Sequence, residues 1–294
     1  MKYIKTVSGL EEIYSKYEVF ILDQWGVMHD GQKAYKHAID CVDKLYESKK
    51  KLTIISNSSK RKDSTIARLP DLGFKATSFK LVMTSGEMIW QSLFNQNYAE
   101  TKELGKNYFY MYDETKEDGK NYIKGLEKYN TVNRIEEADF ILGCTPFANM
   151  EVLDYIPILS VAKKNNIPFI CANPDFDIVE SNSNKLIFCL GTIAELYQSL
   201  GGKVFYLGKP SLEIYNETLK RINFFDKTKI LAIGDSLHHD IKGAINLGID
   251  SLLITSKGIH KDLFDKNTPK WDTGIKKLNK YGIEPSYICK DFSF

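Results

Sequence analysis

Residues 20–31 read FILDQWGVMHDG. A short apolar run, Phe20 to Leu22, ends on one carboxylate, Asp23, and a glycine-containing turn follows. Buried parallel strands read this way: a brief apolar run closed by turn residues, with a polar side chain handed to the sheet's C-terminal edge. Two residues on, where a second carboxylate would complete an acid–base pair, stands Trp25. Similar runs recur at KLTIIS (51–56), KLVMT (80–84), KVFYLG (203–208), KILAIGD (229–235) and DSLLIT (250–255). Amphipathic stretches separate them, such as AYKHAIDCVDKLYESKK (34–50) and SLEIYNETLKRI (211–222), apolar at spacings of three and four. The alternation predicts an α/β fold with a mainly parallel sheet.

The middle of the chain carries its own strand set: YFYMYD (108–113), DFILGC (139–144), PFICAN (168–173) and KLIFC (185–189). No simple repeat relates it to the rest. The flanking strands read as one sheet, so residues 86–203 are expected to form an inserted α/β domain. Residues 1–85 and 204–294 would then make the core.

The 294 residues suffice for one large domain or two smaller ones, and 43% hydrophobic with 27% charged residues is ordinary for a soluble globular protein. Forty basic residues against 38 acidic ones leave a net charge of +2, which gives no electrostatic reason to expect nucleic acid or an anionic membrane as partner. The basic runs at 49–51 and 60–62 read as solvated surface. Cysteines 41, 144, 171, 189 and 289 are odd in number and show no CxxC spacing, which argues against a disulfide framework or a zinc site. The N-terminus lacks the apolar segment of a signal peptide, and no run approaches the ~18 apolar residues of a membrane span. A cytoplasmic protein is expected. Its composition is compatible with a homo-oligomer and does not require one.

Four polar sites fall at the C-terminal ends of expected parallel strands, where open α/β sheets place ligands. They are Asp23, the cluster Ser56-Asn57-Ser58-Ser59, Lys209 in YLGKPS, and Asp235 in IGDSLHHD with Asp240 five residues later. Singly each has a plain reading as a turn, a cap or surface. Together they are the parts of phosphoryl transfer: a carboxylate to attack phosphorus, hydroxyl and N–H groups to hold its oxygens, a lysine to offset charge, and a further carboxylate for Mg²⁺.

The order D-x-x-G-V, S-N-S-S, G-K-P, G-D-x-x-x-x-D resembles the haloacid dehalogenase superfamily of phosphatases. MTSGE (83–87), CANPD (171–175) and the insertion between the second and third motifs are similar to class IIA, the N-acetylglucosamine-phosphatase-like branch, in its subgroup with D-x-W-G-V-x-H-D-G as first motif. The resemblance spans essentially the whole chain. It implies a Rossmann-like core with a C2-type cap, and a hydrolase forming an aspartyl-phosphate on Asp23. Ser56 and Asn57 would bind phosphate, with Lys209 stabilising the anion. Mg²⁺ would be held by Asp23, Asp235 and the backbone carbonyl of Trp25, and Asp240 would support the site from behind. A cap also implies a small phosphorylated substrate. In the resembling proteins Asn173-Pro174-Asp175, Asp177 and Glu180 face the core entrance.

In those phosphatases the residue at the position of Trp25 is an aspartate, which protonates the leaving oxygen and then activates water. Indole has one N–H donor and no titrating group near neutrality. The loss of a general acid–base is typically worth roughly 10²–10⁴-fold. His29, on the expected flap, could supply the proton, as could His238 or His239 after Asp235; each also reads as an ordinary structural or surface histidine. An acyl or aryl phosphate would need little acid help. The alternatives are a catalytically weak or inactive protein that binds a phosphorylated ligand, and a halide-displacing hydrolase using Asp23 on carbon. The Lys209 and Asp235 motifs count against the latter.

Overall fold

Val19–Leu22 is buried on both faces, and its side chains divide by parity. Val19 and Ile21 enter one apolar cluster, Phe20 and Leu22 another. A strand buried on both faces needs cover on both, and helices supply it. Lys36–Glu47 buries Ala38, Cys41, Val42 and Leu45 against the Phe20 side. Leu212–Arg221, capped by Ser211 accepting from the Glu213 N–H, buries Ile214, Tyr215, Thr218 and Leu219. Of these, Ile214, Tyr215 and Leu219 join the Val19 side. In this computed structural model, residues 4–179, 186–261, 274–275, 278 and 282–294 are described.

Among the described residues the larger sheet has seven strands, in the order Lys5–Thr6, Tyr287–Cys289, Asp250–Ile254, Ile230–Gly234, Val19–Leu22, Lys51–Ser56 and Phe79–Thr84. Every pairing is parallel. From Val19–Leu22 the chain winds outward through the strands at 51 and 79. It later returns to Ile230–Gly234, on the opposite side, and winds the other way. The strand order therefore reverses between Val19–Leu22 and Ile230–Gly234, and the crevice at that switch point is where such sheets bind ligands. Asp23 and Asp235 follow these two strands directly.

A second, five-stranded parallel sheet runs Val204–Tyr206, Phe169–Cys171, Phe140–Gly143, Asn107–Met111, Asn130–Val132. Tyr108, Tyr110, Phe140 and Leu142 share a cluster with Met88, Ile89 and Leu93 of the Ser85–Asn95 helix, which leaves the large sheet's edge strand. One strand expectation is corrected. Val204–Tyr206, read with the core strands, pairs with Phe169–Cys171 in the smaller sheet (Val204 opposite Phe169), and the chain re-enters the larger sheet's C-terminal edge at Lys209. An apolar triplet of aromatic and β-branched residues fits any pleated surface, so its composition does not say which sheet it joins. Leu186–Phe188 forms an antiparallel pair with Asp177–Val179, Ile187 opposite Ile178. Glu180 lies outside the described residues. Among those described, no helix is long and apolar enough to cross a membrane.

Candidate active site

The Asp23 N–H donates to the Ile233 carbonyl at 2.9 Å, so the sheet's hydrogen bonding fixes the backbone that carries the carboxylate. Lys209 Nζ lies 2.7 Å from Asp23 Oδ1 and 2.7 Å from Asp240 Oδ1. All three side chains are almost entirely enclosed. Asp240 also accepts from the Ser236 N–H at 3.2 Å, and Asp235 accepts from the Ile259 N–H at 2.9 Å. Oxygens of Asp23, Asp235 and Asp240 lie within 4.8 Å of one another. Glycine makes the Asp235 position accessible: a Cβ on Gly258 would fall 1.7 Å from Asp235 Oδ2, and one on Gly26 2.5 Å from it, at positive φ in both cases.

Three carboxylates gathered around one ammonium set the electrostatics. Burial pushes the Asp23 carboxyl up to about 7, against the downward pull of Lys209. Burial, then the charges of Asp23 and Asp240, hold Asp235 well above the carboxylate range. Burial alone would depress Lys209, but the flanking Asp23 and Asp240 carboxylates hold its ammonium well above the usual value. A cluster that favours protonated carboxylates for want of positive charge is one that a cation would relieve.

Asn57 and Ser56 are both buried but do different work. Asn57 Oδ1 accepts from the Lys209 N–H at 2.7 Å, and Nδ2 donates to the Lys209 carbonyl at 3.1 Å. The amide thus clasps the backbone of the lysine that serves Asp23. Nδ2 also donates to Asp175 Oδ1 at 2.8 Å. Ser56 Oγ accepts from the Ser58 N–H at 3.3 Å and lines, with Trp25, a cavity of about 150 Å³.

Half-buried Trp25 lines both that cavity and a chamber of about 30 Å³ lined by the carboxylates and Lys209. It packs flat against Gly31, where a Cβ would sit 2.2 Å from Cη2, and meets His29 edge-on at 6.0 Å between ring centres. His29 is drawn away from the carboxylates. Its Nδ1 accepts from the Gly31 N–H at 3.0 Å, and burial, reinforced by Arg68, lowers its pKa to about 4. It lines the cavity beside Ser56.

His239 instead borders the carboxylate chamber. Its Nδ1 lies 3.0 Å from Ser236 Oγ and 3.4 Å from Asp175 Oδ1, and its ring tilts against Phe176 at 5.4 Å. His238, with His239 and Lys209, lines a neighbouring cavity of about 760 Å³. Sequence reasoning missed Arg68, the last residue of the Lys62–Arg68 helix, whose guanidinium donates to the Gly31 carbonyl. Nothing in a lone arginine on a surface helix points toward a flap over thirty residues away.

Haloacid dehalogenase-like hydrolase profiles match residues 20–120 and, as HAD-hydrolase-like, residues 206–293. An acid sugar phosphatase of Staphylococcus epidermidis is 23% identical over 257 residues, covering 86% of this chain and 92% of that protein. A haloacid dehalogenase-like hydrolase from Brucella suis superposes with a TM-score of 0.80 at 25% identity, over 96% of this chain and 98% of that one. A glycerol phosphate phosphatase from Mycobacterium tuberculosis, crystallised with magnesium, shares the fold at a TM-score of 0.67 and 19% identity, over 99% of this chain and 78% of that one. With profile matches over residues 20–120 and 206–293 and the strand-end carboxylates at the switch point, the chain belongs to the haloacid dehalogenase-like hydrolase family.

Proposed function

We propose that the protein is a Mg²⁺-dependent phosphohydrolase acting on a small phosphorylated metabolite, with Asp23 as nucleophile. The observation that carries this reading is Lys209 Nζ held 2.7 Å from Asp23 at the switch point, with Asp235 and Asp240 around it. An Asp23 oxygen attacks phosphorus and the bond from phosphorus to the leaving oxygen breaks. That oxygen takes up a proton, and water then attacks the acyl phosphate, releasing inorganic phosphate and restoring the carboxylate. Lys209 offsets charge on the transferring oxygens, and Ser56 with the neighbouring N–H groups binds them. Asn57 keeps Lys209 in place through its backbone.

The donor set suits Mg²⁺: carboxylate oxygens, with no thiolate or imidazole among the clustered ligand atoms of the described residues. Asp23 and Asp235, with the Trp25 carbonyl, would hold it. Asp240 is committed to Lys209 and Ser236 and would steady the site from behind. The ion would screen the phosphate from the carboxylates. The smaller sheet and its helices, with Val204–Tyr206 as edge strand, would act as the cap over the core formed by the larger sheet. Asp175 and Asp177 from this cap line the chamber, and closure would exclude water. The names of the relatives, acid sugar phosphatase and glycerol phosphate phosphatase, support a phosphorylated small molecule as substrate.

Trp25 favours one second reading, a slow or non-catalytic receptor for such a ligand. Binding of beryllium trifluoride with Mg²⁺ to wild type and Asp23→Asn, beside a panel of phosphorylated metabolites, separates the two. The enzyme reading expects binding and turnover in wild type and neither in Asp23→Asn. Binding without turnover of any activated phosphate supports the receptor. No binding at all overturns both.

A further inference from the structure

The two chambers that Trp25 lines have opposite chemistry. Among the described residues the carboxylate side is lined by Asp23, Asp175, Asp177, Asp235 and Asp240 against the cation Lys209, with His239 beside them. On the other side, hydroxyls of Ser56, Ser58, Ser64 and Thr65 stand with Lys60 and Arg68, and no carboxylate is among the described residues lining that cavity. Hydroxyl donors around a guanidinium select an anion; clustered carboxylates select a cation. We infer that the Arg68 cavity is a second anion subsite, taking a carboxylate or second phosphate of the same substrate whose scissile phosphate lies between Asp23 and Ser56.

This rests on the phosphohydrolase reading above. Its geometry is that of neighbouring strands: Leu22 lies opposite Ile54 on adjacent parallel strands about 4.8 Å apart, so Asp23 and Ser56 leave the same edge of the sheet, and Ser56 lines the cavity. Arg68 is fixed there by its bond to the Gly31 carbonyl, which occupies one of a guanidinium's five N–H donors. Lys60 is balanced by Asp118 at 2.6 Å on the rim, and His29 is held neutral, so the cavity's net charge is that of Arg68. Its volume of about 150 Å³ suits a compact charged group better than a ring system.

A matched pair tests this: 3-phosphoglycerate and glycerol 3-phosphate differ only in carrying a carboxylate or a hydroxymethyl group. Wild type should prefer 3-phosphoglycerate by roughly tenfold or more in kcat/KM, expressed in KM, as charge-assisted hydrogen bonding to one anion implies. Arg68→Gln should collapse that ratio, and Arg68→Lys should keep much of it. No preference in wild type, or an equal loss on both compounds in Arg68→Gln, overturns the subsite and leaves Arg68 as a brace for the flap. If wild type hydrolyses neither of these alkyl phosphates but turns over an aryl or acyl phosphate, the hydrolase reading stands; turnover of no phosphate at all is its failure. The pair's dissociation constants in Mg²⁺, measured on the same three proteins, then decide the subsite by the same ratio.

Discussion

Asn57 and Asp175 stand 118 residues apart in the chain and meet through a hydrogen bond of 2.8 Å. One follows a strand of the larger sheet, and the other a strand of the smaller one. The same Asp175 oxygen lies 3.4 Å from His239 Nδ1, so one carboxylate joins the smaller sheet's loop to two core positions that flank Lys209.

Asp175→Ala should therefore free the loop while leaving the core site assembled. A hydrogen bond involving a charged group contributes about 1.5–3 kcal/mol. The loss should appear as local opening rather than global unfolding. Amide exchange across residues 172–179 should accelerate by roughly tenfold or more, and KM should rise more than kcat falls. Exchange unchanged from wild type would mean that packing of Phe176 and Pro174 alone holds the loop.

Lys209→Ala should unfold readily without metal. Removing the sole cation from a buried cluster with three aspartates leaves uncompensated charge, at about 3–5 kcal/mol. Mg²⁺ should restore part of this loss, because a cation replaces the missing charge. Thermal unfolding of wild type and variant with and without millimolar Mg²⁺ reads it: the variant's gain in Tm should exceed that of wild type. Equal gains would show that the ion does not share the cluster with Lys209.

The core of this site was legible in the sequence because each part ends an apolar run. Asp23, Ser56 and Asp235 are strand-end residues whatever their neighbours do, and parallel strands bring such ends together. The partners of Asn57 were not legible, since a pairing across 118 residues depends on how two sheets are set against each other. Nor was the sheet that Val204–Tyr206 would join, as its three residues suit either. Tyr287–Cys289 and the two-residue strand Lys5–Thr6 escaped notice because each is too short to show a period. His29 was expected near the reacting groups from its place on the flap. Its Nδ1 instead accepts from the Gly31 N–H, and it lines the cavity beside Ser56 rather than the carboxylate chamber.

Glu87 gives the fold a defined acid sensitivity. It is 2% exposed at the start of the Ser85–Asn95 helix, pairs with Arg61 Nε at 2.7 Å and accepts from Gln91 at 2.6 Å. Burial would raise its pKa, but the bonds from Arg61 and Gln91 together hold it below the usual value. The unfolded chain, with Glu near 4.3, thus binds the proton more readily than the folded one. The pair's stabilisation should be complete above about pH 4.3 and decline as pH falls through the lower folded value. Glu87→Gln should cost about 1–3 kcal/mol at pH 7, and the gap to wild type in urea unfolding should narrow below pH 4. A gap constant with pH would assign the loss to shape rather than charge.

The indole in DQWGV makes the last prediction. Trp25 borders the carboxylate chamber but offers no group that titrates near neutrality, while His29 is turned away and held at about 4. Activity should therefore depend strongly on the leaving group, with aryl and acyl phosphates favoured over alkyl ones, since a basic alkoxide gains most from protonation. Trp25→Asp should raise alkyl phosphate turnover by up to roughly 10²-fold if the carboxylate reaches the leaving oxygen. Two effects oppose this gain. Removing the indole deletes the surface packed on Gly31, and a further carboxylate near Asp23 adds like-charge repulsion. A leaving-group series on both proteins, with Mg²⁺ affinity measured in parallel, separates these terms. Should wild type be indifferent to leaving-group pKa, and the variant bind Mg²⁺ without gaining rate, another residue already delivers the proton. His239, which borders the carboxylate chamber, would then be the first to replace.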